Sequence, residues 1–134
     1  MPSEPAVRRA VAFVDAQNLF HAAREAFGCR HPNFLVGQEK GIDIRLALDV
    51  VRLAHQRDYD VALVLSQDQD LSEVADELRV IAREQQRWIK IASAYPSSPT
   101  SRNTRGINKT DWILIDRALY ESCIDLRDYR PKAR

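Results

Sequence analysis

Val61-Ala62-Leu63-Val64-Leu65-Ser66-Gln67-Asp68-Gln69-Asp70 runs five apolar residues straight into a serine and two carboxylates. Bounded by Asp58-Tyr59-Asp60 before it and a helical pattern after it, this run reads as a buried strand of a parallel sheet, with acids at its carboxyl end. Ligands of open α/β sheets bind outside the carboxyl ends of the strands, so acids placed there are poor candidates for plain solvation. Ala10-Val11-Ala12-Phe13-Val14 repeats the arrangement and ends in Asp15-Ala16-Gln17-Asn18. Two strands are therefore expected to deliver carboxylates to one edge.

Working outward, Gln17 to Phe27 carries Leu19, Phe20, Ala23 and Phe27 at helical spacing and stops near Gly28, a residue suited to a helix end. Cys29 to Lys40 reads as a loop, with Asn33 to Val36 able to add a few extended residues. Ile42 to Arg57 is apolar over much of its girth and predicts a largely buried helix. Asp43 stands at its start, where a carboxylate meets the positive end of the dipole, and Asp49 inside it must face solvent or be paired. Leu71 to Gln85 predicts an amphipathic helix, Trp88 to Ala92 a short strand, and Ser93 to Asn108 a polar loop. Thr110 to Ile115 reads as a last strand, followed by a short helix through Cys123 with Asp116 as its N-cap. Strand, helix, helix, strand, helix, strand implies right-handed crossovers and an α/β fold: a three-layer α/β/α sandwich on a mainly parallel sheet.

A chain of 134 residues is expected to form one domain over 9–125, after a disordered leader over 1–8 and before a basic tail over 126–134. With 45% hydrophobic and 29% charged residues it has the composition of a soluble globular protein. No apolar run approaches membrane-spanning length and no secretory signal is visible, so a cytoplasmic location without membrane partners is expected. Cys29 and Cys123 are too few for a disulfide scaffold or zinc site and read as reduced structural thiols. The net charge of +1 hides an uneven distribution: Tyr95 to Lys109 holds Arg102, Arg105 and Lys109 with no acid, whereas acids gather at Asp58, Asp60, Asp68, Asp70, Glu73, Asp76 and Glu77. A polyanion lying against the basic segments, with a divalent cation among acids, suits that pattern; so does a solvated surface of mixed charge.

Mg²⁺ and Mn²⁺ take oxygen ligands, so carboxylates converging from several strand ends can hold one and leave room for a substrate phosphate. Phosphodiester cleavage is the reaction such sites serve. Asp15, Asp43, Asp68 and Asp70 form the expected cluster, with Asn18 as a contact to substrate and Ser66 fixing either a carboxylate or the substrate backbone. Lys40, three residues before Asp43, can present an ammonium to the scissile phosphate, neutralise Asp43, or project into water.

At this point the residues resemble a family. Phe13-Val14-Asp15-Ala16-Gln17-Asn18-Leu19 resembles the opening motif of NYN domains, members of the PIN-like ribonuclease superfamily. Lys40-Gly41-Ile42-Asp43 with Leu46-Ala47-Leu48-Asp49 is similar to the Lys-Gly-Val-Asp and following Asp of the LabA-like branch, and Leu65-Ser66-Gln67-Asp68-Gln69-Asp70-Leu71 to its Ser-Gly-Asp-x-Asp-Phe. The resemblance implies a PIN-like, Rossmannoid sandwich and a divalent-metal-dependent (endo)ribonuclease. Asp15, Asp43, Asp68 and Asp70 would bind Mg²⁺ or Mn²⁺ and act in catalysis with Lys40, with Asn18 and Ser66 nearby. Arg102, Arg105 and Lys109 of the polar loop are the candidate contacts to RNA, single-stranded or structured, with homo-oligomerisation left open.

Two departures stand out. Gln67 replaces the usual glycine, and Gly28 to Glu39 supplies twelve residues where NYN domains carry a further strand and helix, too few for both. The domain is therefore expected to be a minimal member or to lack a strand–helix unit between 28 and 39. Three other classes compete. A non-catalytic RNA- or protein-binding module gains nothing from clustered negative charge. A haloacid-dehalogenase-type phosphatase would need an acid at position 17, which is Gln, and a receiver domain a lysine at the end of a late strand, whereas Lys90 lies inside its strand. In the last class the acids merely cap helices and decorate loops.

Overall fold

The computed structural model of the protein describes residues 2–28 and 41–127. Its strands are β1 (Ala10–Val14), β2 (Val61–Leu65), β3 (Lys90–Pro96) and β4 (Asp111–Ile115), and its helices α1 (Ala16–Phe27), α2 (Ile42–His55), α3 (Ser72–Glu84) and α4 (Arg117–Ser122). The four strands form one sheet in the order β1-β2-β3-β4, and every neighbouring pair is parallel. Parallel strands need crossovers, and the alternating strand and helix patterns of the sequence supply them. The expected α/β fold is the one observed.

The core explains which residues became which element. Phe13, Ala62 and Val64 of the sheet bury against Leu46, Val50 and Ala54 of α2 and Val74, Leu78 and Ile81 of α3. These helix positions recur at three- and four-residue spacing, which gathers them on one face. Tyr59, fully buried before β2, sets its ring edge-on to Phe13 at 5.7 Å, and its hydroxyl donates to Val50 O at 2.6 Å. Burial pushes its phenol far above the ordinary tyrosine range. A smaller cluster of Ala23, Ala26 and Phe27 ties α1 to Tyr120 of α4, and α1 lies against β3.

Several boundaries differ from the sequence reading. The third strand begins at Lys90, not Trp88, and continues through Pro96, because Ala92 to Pro96 find partners in Asp111 to Ile115. Pairing across the sheet overrides the polar look of Ser93 to Pro96. The second helix stops at His55, and Arg57 turns the chain with φ 60°. A single 3-10 turn, Gln69–Leu71, precedes α3. Asp49 is paired, bridging Arg45 at 3.2 Å and Arg52 at 3.0 Å. Trp112 is 46% exposed, with its indole N–H donating to Ile107 O at 2.8 Å. The extended residues expected at Asn33 to Val36, Cys29, and the basic residues after Arg127 lie outside the described residues; Cys123 is an exposed free thiol, not a packed one.

In place of a helix, residues 97–110 return from the carboxyl end of β3 to the start of β4. Ile107 of this connection is fully buried in the main core, and Gly106 makes that approach feasible. A Cβ at Gly106 would sit 2.5 Å from Trp112 Cδ1 and 2.6 Å from Ser93 Oγ.

Candidate active site

In-register pairing of Val14 with Leu65 brings the carboxyl ends of β1 and β2 level, and the Asp15 N–H donates to Leu65 O at 3.3 Å. The residues that follow each strand must therefore share one edge. Asp15, 7% exposed, is the N-cap of α1: its Oδ1 accepts the Asn18 N–H at 3.1 Å and its Oδ2 accepts the Ser66 hydroxyl at 3.3 Å. Ser66, 1% exposed, also accepts the Asp68 N–H at 3.1 Å. Ser66 thus fixes the Asp15 carboxylate, the first of the two roles open to it. Asp68 caps the 3-10 turn by accepting the Asp70 N–H at 3.0 Å.

Asp43 arrives from elsewhere in the chain, in the first turn of α2, behind Gly41 at φ 87°. The positive φ is one that glycine adopts without strain. Asp15, Asn18, Asp43 and Asp68 line one cavity of about 280 Å³, together with Gln17 and His21. Carboxylate oxygens of Asp43, Asp68 and Asp70 lie within 4.8 Å of one another. Among the described residues, none of the four aspartates forms an ion pair. An octahedral Mg²⁺, with oxygens about 2.1 Å away, sets adjacent ligands about 3 Å apart and opposite ones about 4.2 Å apart. Three carboxylate oxygens within 4.8 Å of one another are a donor set suited to a hard divalent cation.

The other sequence candidates scatter. Asn18 lines the cavity, but its Oδ1 is used to accept the Gln67 N–H at 3.0 Å. Lys40 lies outside the described residues. Arg102 and Arg105 are exposed; Arg102 is held through its backbone N–H by Glu25 at 2.6 Å, and Arg105 reaches Asn108 at 3.2 Å. Lys109 is directed away from the acids, onto Asp76. That carboxylate raises the Lys109 ammonium above its ordinary range.

Two residues escaped the sequence reading of the site. Gln67, 7% exposed, sends its side-chain amide to Asn103 O at 3.1 Å and Arg105 O at 3.0 Å. Gln69 donates to Gly106 O at 2.8 Å and accepts the Asn108 N–H at 2.9 Å. Together they clamp the 97–110 connection to the acid-bearing turn. Gln67 does not take a positive φ, so its departure from glycine has a use: a side chain that reaches the loop.

A parallel sheet with clustered carboxylates outside its strand ends defines an α/β protein with an acid-lined cavity. The NYN domain model matches residues 4–106, and the chain belongs to the NYN domain family, with the PIN-like nuclease fold. PIN-like nuclease domains use divalent metals, and the Asp43, Asp68 and Asp70 group is a donor set of that kind. No curated protein and no solved structure matches the chain. No helix among the described residues is long and apolar enough to cross a membrane.

Proposed function

We propose that this protein is a divalent-metal-dependent ribonuclease that cleaves RNA phosphodiester bonds at the carboxylate cluster, in the cytoplasm. One observation carries the reading: aspartates from the end of β1, the start of α2 and the turn after β2 converge on one cavity without compensating cations among the described residues. Like charges held together cost energy unless a cation joins them. Mg²⁺ or Mn²⁺, when bound, supplies electrophilic stabilisation of the phosphate and activation of water.

The chain's own residues supply the frame. Asp43, Asp68 and Asp70 are the ligands we assign to the ion. Asp15, held by Ser66 and the Asn18 N–H, is fixed in one orientation, which suits a carboxylate that must act at a defined atom. The Asn18 amide nitrogen, without a partner among the described residues, faces substrate in this reading, and Lys40 lies close enough in sequence to Asp43 to meet the phosphate. Arg102 and Arg105 hold the RNA backbone.

The test is a titration of Mg²⁺ or Mn²⁺ against labelled single-stranded RNA. Asp15→Asn and Asp68→Asn should each lower cleavage by two orders of magnitude or more, roughly, with the circular-dichroism spectrum unchanged. Cleavage that survives both substitutions, or chelator, overturns the assignment. RNA binding with no cleavage at any metal concentration supports the rival, a binding module on the same fold.

A further inference from the structure

A further cavity lies at the opposite end of the sheet. It measures about 770 Å³ and is lined by Trp88, Ile89 and Ala82 together with Arg79, Arg83 and Arg87. A second cleft, about 340 Å³, shares Arg79, Trp88 and Ile89 with it and extends to Lys90, Lys109 and Asp111. Trp88 lines both, and we treat the two together as one groove. Trp88 and Ile89 precede β3, whereas the aspartates follow β1 and β2, so at least a strand length, about 17 Å for five residues, separates groove and acids.

Its charge is in surplus. Asp60 is shared by Arg9 at 3.2 Å and Arg87 at 3.7 Å, and Asp76 by Arg79 at 3.5 Å and Lys109. Asp111 pairs with Lys90 at 2.8 Å, while Arg83 has no carboxylate partner among the described residues. Five cations thus meet three carboxylates within these pairs, and Arg83 adds a sixth positive charge. Trp88 is half-buried outside the packed core, and no described residue accepts its indole N–H. A ring beside surplus guanidinium groups is how base-stacking platforms in single-strand binders are built.

We infer that this groove is a second RNA site, in which Trp88 stacks a base and Arg79 and Arg83 hold the flanking phosphates. The 97–110 connection links it to the acids: Tyr95 fixes Thr104 at the carboxyl end, and Arg79 fixes Lys109 O beside the groove at 2.8 Å. Arg102, Arg105 and Lys109 mark a basic track between the two. The inference rests on RNA as the substrate, but it concerns binding and is separable from cleavage.

Anisotropy of a fluorescein-labelled single-stranded RNA of about twenty nucleotides, in EDTA, tests it. Trp88→Ala and Arg83→Glu should each weaken binding about tenfold, and Arg83→Glu should lower the salt dependence by about one released counterion. Arg83 is exposed, so its variant stays informative if Trp88→Ala is poorly folded. In a Trp112→Phe background, RNA should quench the remaining Trp88 emission. Unchanged affinity in Arg83→Glu with unquenched Trp88 overturns the groove, even if cleavage is found. Groove-dependent binding without cleavage retains it and overturns the nuclease reading. Binding to anionic vesicles in preference to RNA also overturns it.

Discussion

The two ends of the sheet treat negative charge in opposite ways. At the amino end Asp60, Asp76 and Asp111 each meet at least one cation. At the carboxyl end Asp15, Asp43, Asp68 and Asp70 meet none among the described residues, though oxygens of three of them lie within 4.8 Å. Acids that merely solubilise a surface or cap a turn have no reason to converge from three segments of chain. The amino end shows what charge pairing for stability looks like in this molecule, and the carboxyl end departs from it.

Supplying the missing cation would break the contrast most visibly. Beyond the loss of cleavage predicted for Asp68→Asn, Mn²⁺ at a hundred times its dissociation constant should stabilise the parent by about 2.7 kcal/mol, read as a rise in melting temperature. Asp68→Asn should lose most of that rise. It should also melt slightly higher than the parent without metal, because one of the mutually repelling charges is gone. A metal response that survives in Asp68→Asn would mean the ion binds elsewhere.

The link between the ends gives the next effect. Gly106→Ala drives a Cβ into Trp112 and Ser93 and should cost about 1–3 kcal/mol in urea unfolding. Gln67→Ala removes two hydrogen bonds between the acid turn and the loop, and should cost about 1–3 kcal/mol. If the clamp holds Arg102 and Arg105 over the substrate, Gln67→Ala also raises KM for RNA more than it lowers kcat. A fall in kcat alone would instead assign Gln67 to the acids.

These residues also mark what was legible in the sequence. Strands made of unbroken apolar runs, Ala10 to Val14 and Val61 to Leu65, announce themselves, and their parallel pairing carries Asp15 and Asp68 to one edge almost by necessity. Asp43 was legible as a helix start. Gln67 and Gln69 were not, because their partners lie 36 to 39 residues away and a glutamine that clamps a loop has the same local context as one in water. His21 at the cavity rim and Trp88 in its groove have no local signature either, since each depends on which face of an element packing leaves open. The third strand was misplaced by two residues at its start for a related reason: its start is set by pairing with Val61 of β2 and its end by β4, not by its own composition.

The smallest effect probes the amino end on its own terms. The guanidinium and backbone N–H of Arg9 hold the Asp60 carboxyl below the ordinary carboxylate range, helped by Arg87. A carboxyl whose folded pKa is depressed leaves the unfolded chain binding more protons in that window, so stability rises with pH there. The pair's contribution is complete above the unfolded value, about 3.9, and is lost as the pH falls through the lower folded one. Asp60→Asn should therefore be less stable than the parent at neutral pH, and the difference should shrink on acidification below about pH 4. Part of its cost at neutral pH comes from Arg87, whose guanidinium is already desolvated and would lose its carboxylate. Urea unfolding at stepped pH reads both. A gap that stays constant into acid would show that Asp60 acts as a hydrogen-bond acceptor for the Arg9 backbone and not as a charge. In that case the opposition between a paired end and an unpaired end would rest on Asp76 and Asp111 alone.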